Sequence, residues 1–403
     1  MPHSIERIRT LALVGQSGAG KTTLAEALLA VSGAIPAAGS VERGTTVCDY
    51  TPLEKQLQHS LKLAVASFEA QDTRVHLLDT PGYADFLGQS LPALAAVETA
   101  AIVINAQNGI EMMTGRFLQW AAKRGLDRLI VVNKIDADNV ALEELLERIQ
   151  QAFGKECLPL NLPAAGRSKV SDCFFSPSGE SDFSSVEEAH RRLVDQVVEV
   201  DEKLMESYLE KGEVTPEELH APLERALREG HLIPVVFTSA KTGAGVKELL
   251  DVIVHLLPSP TEGNPPVYVK TTGNGQGEDL QATPDPKQHA LAHVFKVEID
   301  GPAFAGQVRP HRRLHPETGD VGGQQDGSKL DQLAIRMRAL LHDHDFTRAA
   351  TASAYCACAW PVGTARLAAI RIEPMTRRGV MRMQIFLSFH MGPTPHVLTT
   401  LPW

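Results

Sequence analysis

The sequence predicts an α/β fold with a mostly parallel sheet. Short apolar runs alternate along the chain with stretches of helical periodicity, and polar motifs follow directly after the apolar runs. Strands that alternate with helices are joined by right-handed crossovers and pair in parallel. Open α/β sheets bind ligands at the carboxyl ends of their strands, where these motifs fall. At 403 residues, the chain is long enough for more than one domain.

The first motif is a glycine-rich loop between a predicted strand at 11–14 and a predicted helix that includes 23–29. This order is typical of a phosphate-binding P-loop, whose backbone N–H groups and helix N-terminus attract phosphate oxygens. We expect Lys21 to reach the β- and γ-phosphates and the Thr22 hydroxyl to bind Mg²⁺. The predicted nucleotide contacts in this motif are Gly15, Gln16, Ser17, Gly18, Ala19, Gly20, Lys21, Thr22 and Thr23.

The second motif, Asp79-Thr80-Pro81-Gly82-Tyr83, follows the apolar run 75–78, which predicts a buried strand. A carboxylate at the end of a strand, followed by a Pro-Gly turn, suits a magnesium-assisted phosphate site. We expect Asp79 to hold Mg²⁺, directly or through water, and the Gly82 N–H to bond the γ-phosphate. Between the two motifs, residues 32–49 predict a loop and residues 61–69 a strand.

The third motif, Asn133-Lys134-Ile135-Asp136, follows a predicted strand at 129–132 and indicates recognition of a base. The Asp136 carboxylate can accept both the N1–H and the N2–H of guanine, a pair of donors that adenine lacks. We expect Asn133 to brace the loop and contact N7. We expect Lys134 to lay its aliphatic stem along the base.

The fourth motif follows a predicted strand at 235–238 and comprises Ser239, Ala240 and Lys241. Its backbone N–H groups are placed to contact the guanine O6. The gap between the third and fourth motifs is longer than one helix–strand unit requires. We therefore predict an inserted α/β subdomain at about residues 155–230, with acidic helices from 186 to 229.

Composition restricts the partners and the compartment. The net charge is −10, so general attraction to nucleic acid is not predicted. We expect a monomer without sequence-specific DNA binding.

No apolar run approaches the ~18 residues of a membrane span. Residues 1–10 lack the apolar core of a signal peptide. The scatter of the 5 cysteines argues against a disulfide framework, so we expect a cytoplasmic protein.

Taken together and in this order, the four motifs resemble those of the translation-factor GTPases. The resemblance narrows to relatives of elongation factor G because of four features: the run 79–86, the insertion, and the segments 201–210 and 257–260. It covers about residues 8–300. The resemblance implies a P-loop GTPase domain that binds GTP or GDP with Mg²⁺ and acts on the ribosome. In the family pattern, Lys21, Gly82 and Tyr83 would lie at the reacting phosphate. The inserted subdomain would face the ribosomal stalk.

Two local departures from the family pattern affect these expectations. Elongation factor G usually has His where this chain has Tyr83; that His positions the attacking water, so we expect slow hydrolysis. Tyr is found in the elongation factor G-like paralogues, which we favour. The family's switch I, Arg-Gly-Ile-Thr-Ile, aligns with residues 57–61, where Ser60 would supply the Mg²⁺ hydroxyl. The stretch 42–46, Glu-Arg-Gly-Thr-Thr, is superficially closer to this motif but lies earlier than expected.

The chain changes character near residue 300. Residues 289–300 resemble the first strand of the factor's β-barrel second domain, and the resemblance stops after about Gly306. Up to residue 300 there are 27 basic and 42 acidic residues, whereas from 301 onward there are 12 basic and 7 acidic, with a single Lys. The tail is either a divergent folded domain or the product of a reading-frame shift near 301–310. We favour the frame shift, because out-of-frame translation of a GC-rich gene yields Arg-, Ala-, Pro- and His-rich sequence.

We therefore predict a GTP-binding domain at 1–262, a linker at 263–288, the start of a β-barrel at 289–306 and an unassigned, out-of-frame tail at 307–403. The predicted function is that of an elongation factor G-like protein that binds and hydrolyses GTP. The full factor has five domains, so we expect this chain to be incomplete for translocation. Two alternatives stay open: a GTP-binding remnant or switch without turnover, and a GTPase of the release-factor or ribosome-protection type.

Overall fold

The computed structural model describes residues 4–211 and 216–264, together with five strands at 268–271, 277–280, 294–300, 337–340 and 351–356. The chain divides into two compact units, residues 1–265 and 266–403. None of the described helices is long and apolar enough to cross a membrane.

The first unit alternates strands and helices, as the sequence predicts. Its strands are β1 (Ile8–Val14), β2 (Ala64–Ala70), β3 (Thr73–Asp79), β4 (Thr99–Asn105), β5 (Asp127–Asn133), β6 (Cys157–Pro159), β7 (Asn161–Ala164), β8 (Lys169–Asp172) and β9 (Ile233–Phe237). Its helices are α1 (Lys21–Val31), α2 (Pro52–Leu57), α3 (Leu87–Ser90), α4 (Met112–Lys123), α5 (Leu142–Phe153), α6 (Val186–Val198), α7 (Glu202–Lys211), α8 (Pro216–Glu229) and α9 (Val246–His255). Short 3₁₀ helices lie at Ile5–Arg7, Ala84–Phe86 and Pro92–Ala95.

Seven strands form the main sheet in the order β2-β3-β1-β4-β5-β9-β6, and only β2 runs antiparallel to its neighbour. Strands β4 and β9 are buried at every position and β1 and β5 at all but one. Because successive side chains point to opposite faces, such strands are covered on both faces. The observed sheet confirms the predicted fold class, and the carboxyl ends of β1, β3, β5 and β9 carry the four motifs.

The insertion between β5 and β9 adds a strand to the main sheet as well as a small subdomain. Strand β6 pairs with β9, while β7 and β8 form a separate antiparallel pair, and α6 packs against α7 and α8. A buried amide fixes the insertion to the sheet: Asn161 Oδ1 accepts from the Phe237 N–H at 2.7 Å, and Asn161 Nδ2 donates to the Phe237 carbonyl at 3.2 Å. The end of β9, which leads into the fourth motif, is therefore fixed from the insertion side.

The second unit is described through five strands: β10 (Tyr268–Thr271), β11 (Gly277–Leu280), β12 (Val294–Asp300), β13 (Met337–Leu340) and β14 (Thr351–Cys356). Strands β10 and β11 pair antiparallel within the stretch predicted as a linker at 263–288, where no strands were predicted. The signal was present, since a Val-Tyr-Val run precedes a Gly-Asn-Gly turn sequence. Strand β12 lies in the segment predicted to begin a barrel and pairs with β14. The rest of the predicted tail lies outside the described residues.

Two buried carboxylates lie at the amino-terminal end of the parallel strands, opposite the motifs. Glu98 precedes β4 and accepts a hydrogen bond from the Thr10 hydroxyl, and Asp127 begins β5. Burial raises the pKa of Glu98 to about 7, against the opposing effect of the Thr10 bond. Burial also raises the pKa of Asp127 to about 7, against the charges of Arg228 and Arg128. Both groups therefore hold a proton in the folded chain to higher pH than in the unfolded chain.

We expect the free energy of unfolding to fall as the pH rises from 5 to 8. In the unfolded chain these carboxyls ionise at about pH 4. Between that pH and about pH 7 the folded state therefore binds more protons than the unfolded state. Stability therefore decreases with pH across that window. Asp127→Asn removes one of these ionisations and should reduce the decrease by roughly 1–3 kcal/mol. Urea unfolding of both proteins at pH 5 and pH 8 measures the difference.

Asp138→Asn is the matched control, because Asp138 is an exposed carboxylate outside this pair. It should leave the pH dependence of the parent chain in place. An identical pH dependence in the Asp127 and Asp138 variants would contradict the account.

Candidate nucleotide and magnesium site

Backbone conformation shapes the P-loop between β1 and α1. Gly18 and Gly20 adopt φ values of +79° and +87°, which side chains with a Cβ rarely adopt. The Lys21 ammonium is buried and donates to the carbonyl oxygens of Gly15 at 3.0 Å and Gln16 at 2.9 Å. Burial lowers the pKa of Lys21 to about 8, although the charges of Asp79 and Glu111 oppose this shift. Since an ammonium has three donors, one remains for a phosphate oxygen.

The turn after β3 packs directly on the P-loop. The Ser17 N–H donates to the Gly82 carbonyl at 3.0 Å, and the buried Thr80 hydroxyl donates to the Leu13 carbonyl at 2.7 Å. A Cβ at Gly82 would lie 2.5 Å from Lys21 Nζ and 2.5 Å from the Ser17 nitrogen. Only glycine fits this close approach, which places its backbone beside the ammonium expected to meet the β- and γ-phosphates.

Three oxygen-bearing side chains predicted as metal ligands meet beside the P-loop. The Thr22 hydroxyl donates to Asp79 Oδ2 at 2.7 Å, and Ser60 Oγ lies 3.0 Å from Thr22 Oγ1. The second oxygen of Asp79, Oδ1, is buried and has no hydrogen-bond partner among the described residues. Carboxylate and hydroxyl oxygens are the hard ligands that Mg²⁺ prefers. Burial raises the pKa of Asp79 to about 7, while the Thr22 bond and the Lys21 charge oppose this shift; a cation would favour the ionised form.

A further carboxylate, Asp49, belongs to this cluster and was not predicted. Asp49 is buried, the Ser60 hydroxyl bonds to it, and its Oδ1 has no partner among the described residues. Burial raises the pKa of Asp49 against the effect of that bond. Three contacts therefore join Asp79, Thr22, Ser60 and Asp49, but the two hydroxyls have only two protons between them. A divalent cation held by these oxygens would satisfy the remaining lone pairs, so the residues fit Mg²⁺.

Two buried glutamates fix the loop that carries Ser60. Glu26 of α1 accepts from the N–H groups of Gly39, Val47 and Cys48, at 3.1, 2.7 and 3.2 Å. Glu54 of α2 accepts from the N–H groups of 61 and 62 at 3.0 and 2.9 Å and closes a capping box with Thr51. Burial alone would raise the pKa of Glu54, but these hydrogen bonds lower it overall.

The two stretches considered for switch I contact different members of this cluster. Ser60, from residues 57–61, reaches Thr22. In the earlier stretch, Thr45 Oγ1 accepts from the Ser40 N–H at 2.9 Å and Thr46 Oγ1 donates to Asp49 at 3.4 Å. Helix α2 was not predicted, although its signal is in the sequence: Thr51 and Glu54 have capping-box spacing and Pro52 stands at the first helical position.

At the predicted base site, Asn133 joins the P-loop to the fourth motif. Its side chain is fully buried, and Nδ2 donates to the carbonyl oxygens of Ala19 at 3.1 Å and Gly20 at 3.4 Å. Its Oδ1 accepts from the Ala240 N–H at 3.0 Å and from the Thr238 hydroxyl at 3.4 Å. The bracing role is present in these bonds, while the contact with guanine N7 stays a prediction.

The Asp136 carboxylate is half-buried, and its Oδ1 accepts from the Ser239 hydroxyl at 2.6 Å. The Ser239 hydroxyl in turn accepts from the Thr242 N–H at 3.1 Å. Lys134 has φ +65°, which turns the loop, while Lys241 is exposed at the end of the fourth motif. The structure thus brings the third and fourth motifs together, with one oxygen of Asp136 oriented by Ser239.

Of the remaining predicted residues, Thr23 lies half-buried in α1, and Tyr83 is 45% exposed. The Tyr83 ring contacts the ring of His59, with centroids 4.8 Å apart and planes at 60°. His59 was not predicted as a site residue, because its proximity to Tyr83 depends on how the loop before β2 folds back.

Comparison with known proteins agrees with this arrangement of motifs. Residues 6–259 match the family model described as the Elongation factor Tu GTP binding domain. The chain belongs to this family. The region that matches the family model contains all four predicted motifs: the P-loop, Asp-Thr-Pro-Gly, Asn-Lys-Ile-Asp and Ser-Ala-Lys. The match ends close to the end of the first unit.

Individual relatives confirm the predicted resemblance to elongation factor G. The chain is 35% identical over 329 residues to an elongation factor G-like protein of Mycobacterium tuberculosis, an alignment covering 76% of this chain and 46% of the relative. It is 28% identical over 315 residues to elongation factor G of Thermotoga neapolitana, covering 73% and 45%. A crystal structure of a Thermus thermophilus protein matches with TM-score 0.59 and 38% identity, covering 66% and 43%. The chain spans about half the length of the curated relatives it matches.

Asn133→Ala tests the connection between the two halves of the site. The change removes both bonds to the P-loop and both bonds to the fourth motif, and it leaves the half-buried Ala240 N–H without its acceptor. We expect a loss of about 2–4 kcal/mol in unfolding free energy and at least tenfold weaker binding of both GTP and GDP. Urea unfolding and isothermal titration measure the two effects. Unchanged affinity for both nucleotides would show that the amide does not organise the site.

Proposed function

We propose that the chain binds GTP with Mg²⁺ and hydrolyses it to GDP and phosphate, as an elongation factor G-like protein. The observation that carries the proposal is the meeting of Thr22, Asp79 and Ser60 beside the buried Lys21 ammonium. Membership of the GTP-binding domain family and similarity to elongation factor G support it.

In this proposal the chain works by positioning and by stabilising charge. The third donor of Lys21 stabilises the negative charge on the β- and γ-phosphate oxygens. The Gly82 N–H donates to a γ-phosphate oxygen, since its backbone lies beside Lys21 and Ser17. Thr22, Ser60 and Asp79 would hold Mg²⁺, which when bound neutralises charge that develops on the phosphates. Water is the nucleophile and GDP the leaving group.

The base is recognised by the free edge of Asp136 and by the N–H group of Lys241. The N–H groups of Ser239 and Ala240 already donate to the Ala244 carbonyl at 2.8 Å and to Asn133 Oδ1 at 3.0 Å. The Ser239 hydroxyl fixes one oxygen of Asp136 at 2.6 Å, so that the carboxylate is held in position before the base arrives. An adenine in the same place would leave this carboxylate without donors, which is unfavourable in a half-buried site.

The nucleotide-binding part in this proposal is residues 1–262, with the insertion at about 155–230, and the second unit begins a further domain. Similarity to proteins named elongation factor G supports the ribosome as the partner. A monomeric state and a cytoplasmic setting are part of the same proposal. A second candidate is a GTP-binding switch without turnover. It is favoured by one observation, the exposed Tyr83 at a position that elongation factor G usually fills with His. Single-turnover hydrolysis with and without ribosomes separates the two.

Asp136→Asn tests guanine recognition. An asparagine amide offers a donor in place of one acceptor oxygen, which clashes with the guanine N2–H group but suits the C2 carbonyl of xanthine. We expect GTP binding to weaken by about 10²–10³-fold and xanthosine triphosphate binding to strengthen. Isothermal titration of the parent chain should show binding of GTP and GDP and none of ATP. Equal affinity of the parent for ATP and GTP would refute the role given to Asp136.

The second functional prediction concerns movement of the ribosome. The 403-residue polypeptide spans 45% of an elongation factor G that it matches, so we expect it to bind nucleotide without moving messenger RNA by itself. A toe-printing assay with ribosomes, GTP and this polypeptide should stay at the factor-free background, with complete elongation factor G as the positive control. A one-codon shift above background would contradict the prediction.

A further inference from the structure

The two rings that meet beside the phosphate end of the site come from separate segments. His59 precedes Ser60, whose hydroxyl lies 3.0 Å from Thr22 Oγ1, and Tyr83 follows Gly82, which packs against Lys21 and Ser17. Neighbouring Cα atoms are about 3.8 Å apart. His59 is therefore next to the proposed metal ligand Ser60, and Tyr83 is next to Gly82, whose N–H is proposed to bond the γ-phosphate.

The His59 ring packs against two aromatic rings, and one of its nitrogens is unsatisfied within the described part of the chain. Its centroid lies 4.8 Å from that of Tyr83 in an edge-on arrangement and 6.4 Å from that of Phe86. Its Nδ1 is buried and has no hydrogen-bond partner among the described residues. Buried polar atoms in folded proteins are nearly always satisfied by protein or by water. A water at Nδ1 would satisfy the imidazole, and it needs the neighbouring side chains to move aside, because Nδ1 is closed to water in this arrangement.

The segment that carries His59 is also anchored. Glu54 accepts from the N–H groups of Leu61 and Lys62, and Ser60 is bonded to Asp49. On the other side, the Ser17 N–H holds the Gly82 carbonyl. The imidazole therefore belongs to one anchored segment and packs against a ring from another. Such anchoring is required of a group that must hold a water in one orientation.

We propose that His59 orients the attacking water for GTP hydrolysis through Nδ1, and that Tyr83 acts as the ring that holds the imidazole in place. This inference rests on the proposed GTP hydrolysis and assigns a residue to one part of it. Hydrolysis of a γ-phosphate needs a group that orients the water in line with the leaving oxygen. Tyr83, at 45% exposure, has its ring against His59 and leaves this role to the imidazole.

In the reaction, His59 Nδ1 accepts a hydrogen bond from the water. The water oxygen forms a bond to the γ-phosphorus, and the bond from the γ-phosphorus to the β–γ bridging oxygen breaks. GDP leaves with that electron pair. One proton of the water stays on the released phosphate and the other passes to solvent.

Two variants of the same residue separate this role from packing. His59→Phe keeps an aromatic ring against Tyr83 but removes both ring nitrogens, whereas His59→Asn loses the ring but keeps a polar atom near the Nδ1 position. We expect single-turnover GTP hydrolysis to fall at least tenfold in His59→Phe and less in His59→Asn, with GTP and GDP affinities within about threefold of the parent. A packing role predicts the reverse order.

The matched control is His255→Phe, because His255 also contacts an aromatic ring, Phe175, at 5.9 Å but lies in α9 away from the P-loop. It should hydrolyse GTP at the parent rate. A second measurement is the affinity for GDP with aluminium fluoride, an analogue of the transferring phosphoryl group. His59→Phe should weaken this affinity by about the same factor as the rate, while binding of GDP alone stays constant.

The outcomes distinguish the two levels of the proposal. If the parent hydrolyses GTP and His59→Phe does so within about threefold, or faster than His59→Asn, the role of His59 is refuted while the proposed function stands. If the parent binds GTP but neither hydrolyses it with ribosomes nor binds GDP–aluminium fluoride more tightly than GDP, the proposed hydrolysis itself fails, and the role of His59 with it.

Discussion

The nucleotide site depends on the buried amide of Asn133. Its two donors reach the carbonyl oxygens of Ala19 and Gly20 in the P-loop, and its acceptor holds Ala240 and Thr238 after β9. An amide can make this set of bonds because it has two N–H groups and two lone pairs in one plane. Phosphate-binding and base-binding loops are thereby fixed to each other through one side chain, which also explains why a glycine is needed at 20: a Cβ there would lie 2.5 Å from Asn133 Nδ2.

The magnesium end of the site is organised by buried carboxylates of two kinds. Glu26 and Glu54 accept backbone N–H groups and so fold the loop between α1 and β2, which contains no strand within its described residues. Asp79 and Asp49 instead accept from the hydroxyls of Thr22 and Ser60 and keep one oxygen each without a partner. Glu54 is stabilised as an anion by its donors, as its lowered pKa shows. Burial raises the pKa of Asp79 and Asp49, so a bound cation would favour their ionised forms.

The contact between His59 and Tyr83 follows from this folding of the loop. Because Ser60 is drawn to Thr22, the preceding residue is brought over the turn that begins at Gly82. Both positions differ from the pattern of elongation factor G, which has an aliphatic residue at the first position and His at the second. These two positions lie far apart in sequence and come into contact because the loop closes as it does here.

The sequence by itself determined the order of strands and helices, the P-loop, and the identity of Asp79, Asn133 and Asp136 as the polar residues at strand ends. These features are local: apolar runs, glycine spacing and strand-end motifs each act within a few residues. It also placed the change in composition near residue 300. Helix α2 and the pair β10–β11 had local signals as well, in a capping box and in a Gly-Asn-Gly turn.

Only the tertiary structure decided which hydroxyl of the loop after α1 meets Thr22, that Asp49 joins Ser60, and that His59 lies against Tyr83. The Thr22–Ser60 contact joins residues 38 positions apart, and no periodicity or propensity specifies such a pairing. It is set by the hydrogen bonds that the buried Glu26 and Glu54 accept from backbone N–H groups in the irregular parts of the loop between α1 and β2. Long-range closure of an irregular loop depends on the sum of these hydrogen bonds, and that sum exists only in the folded chain.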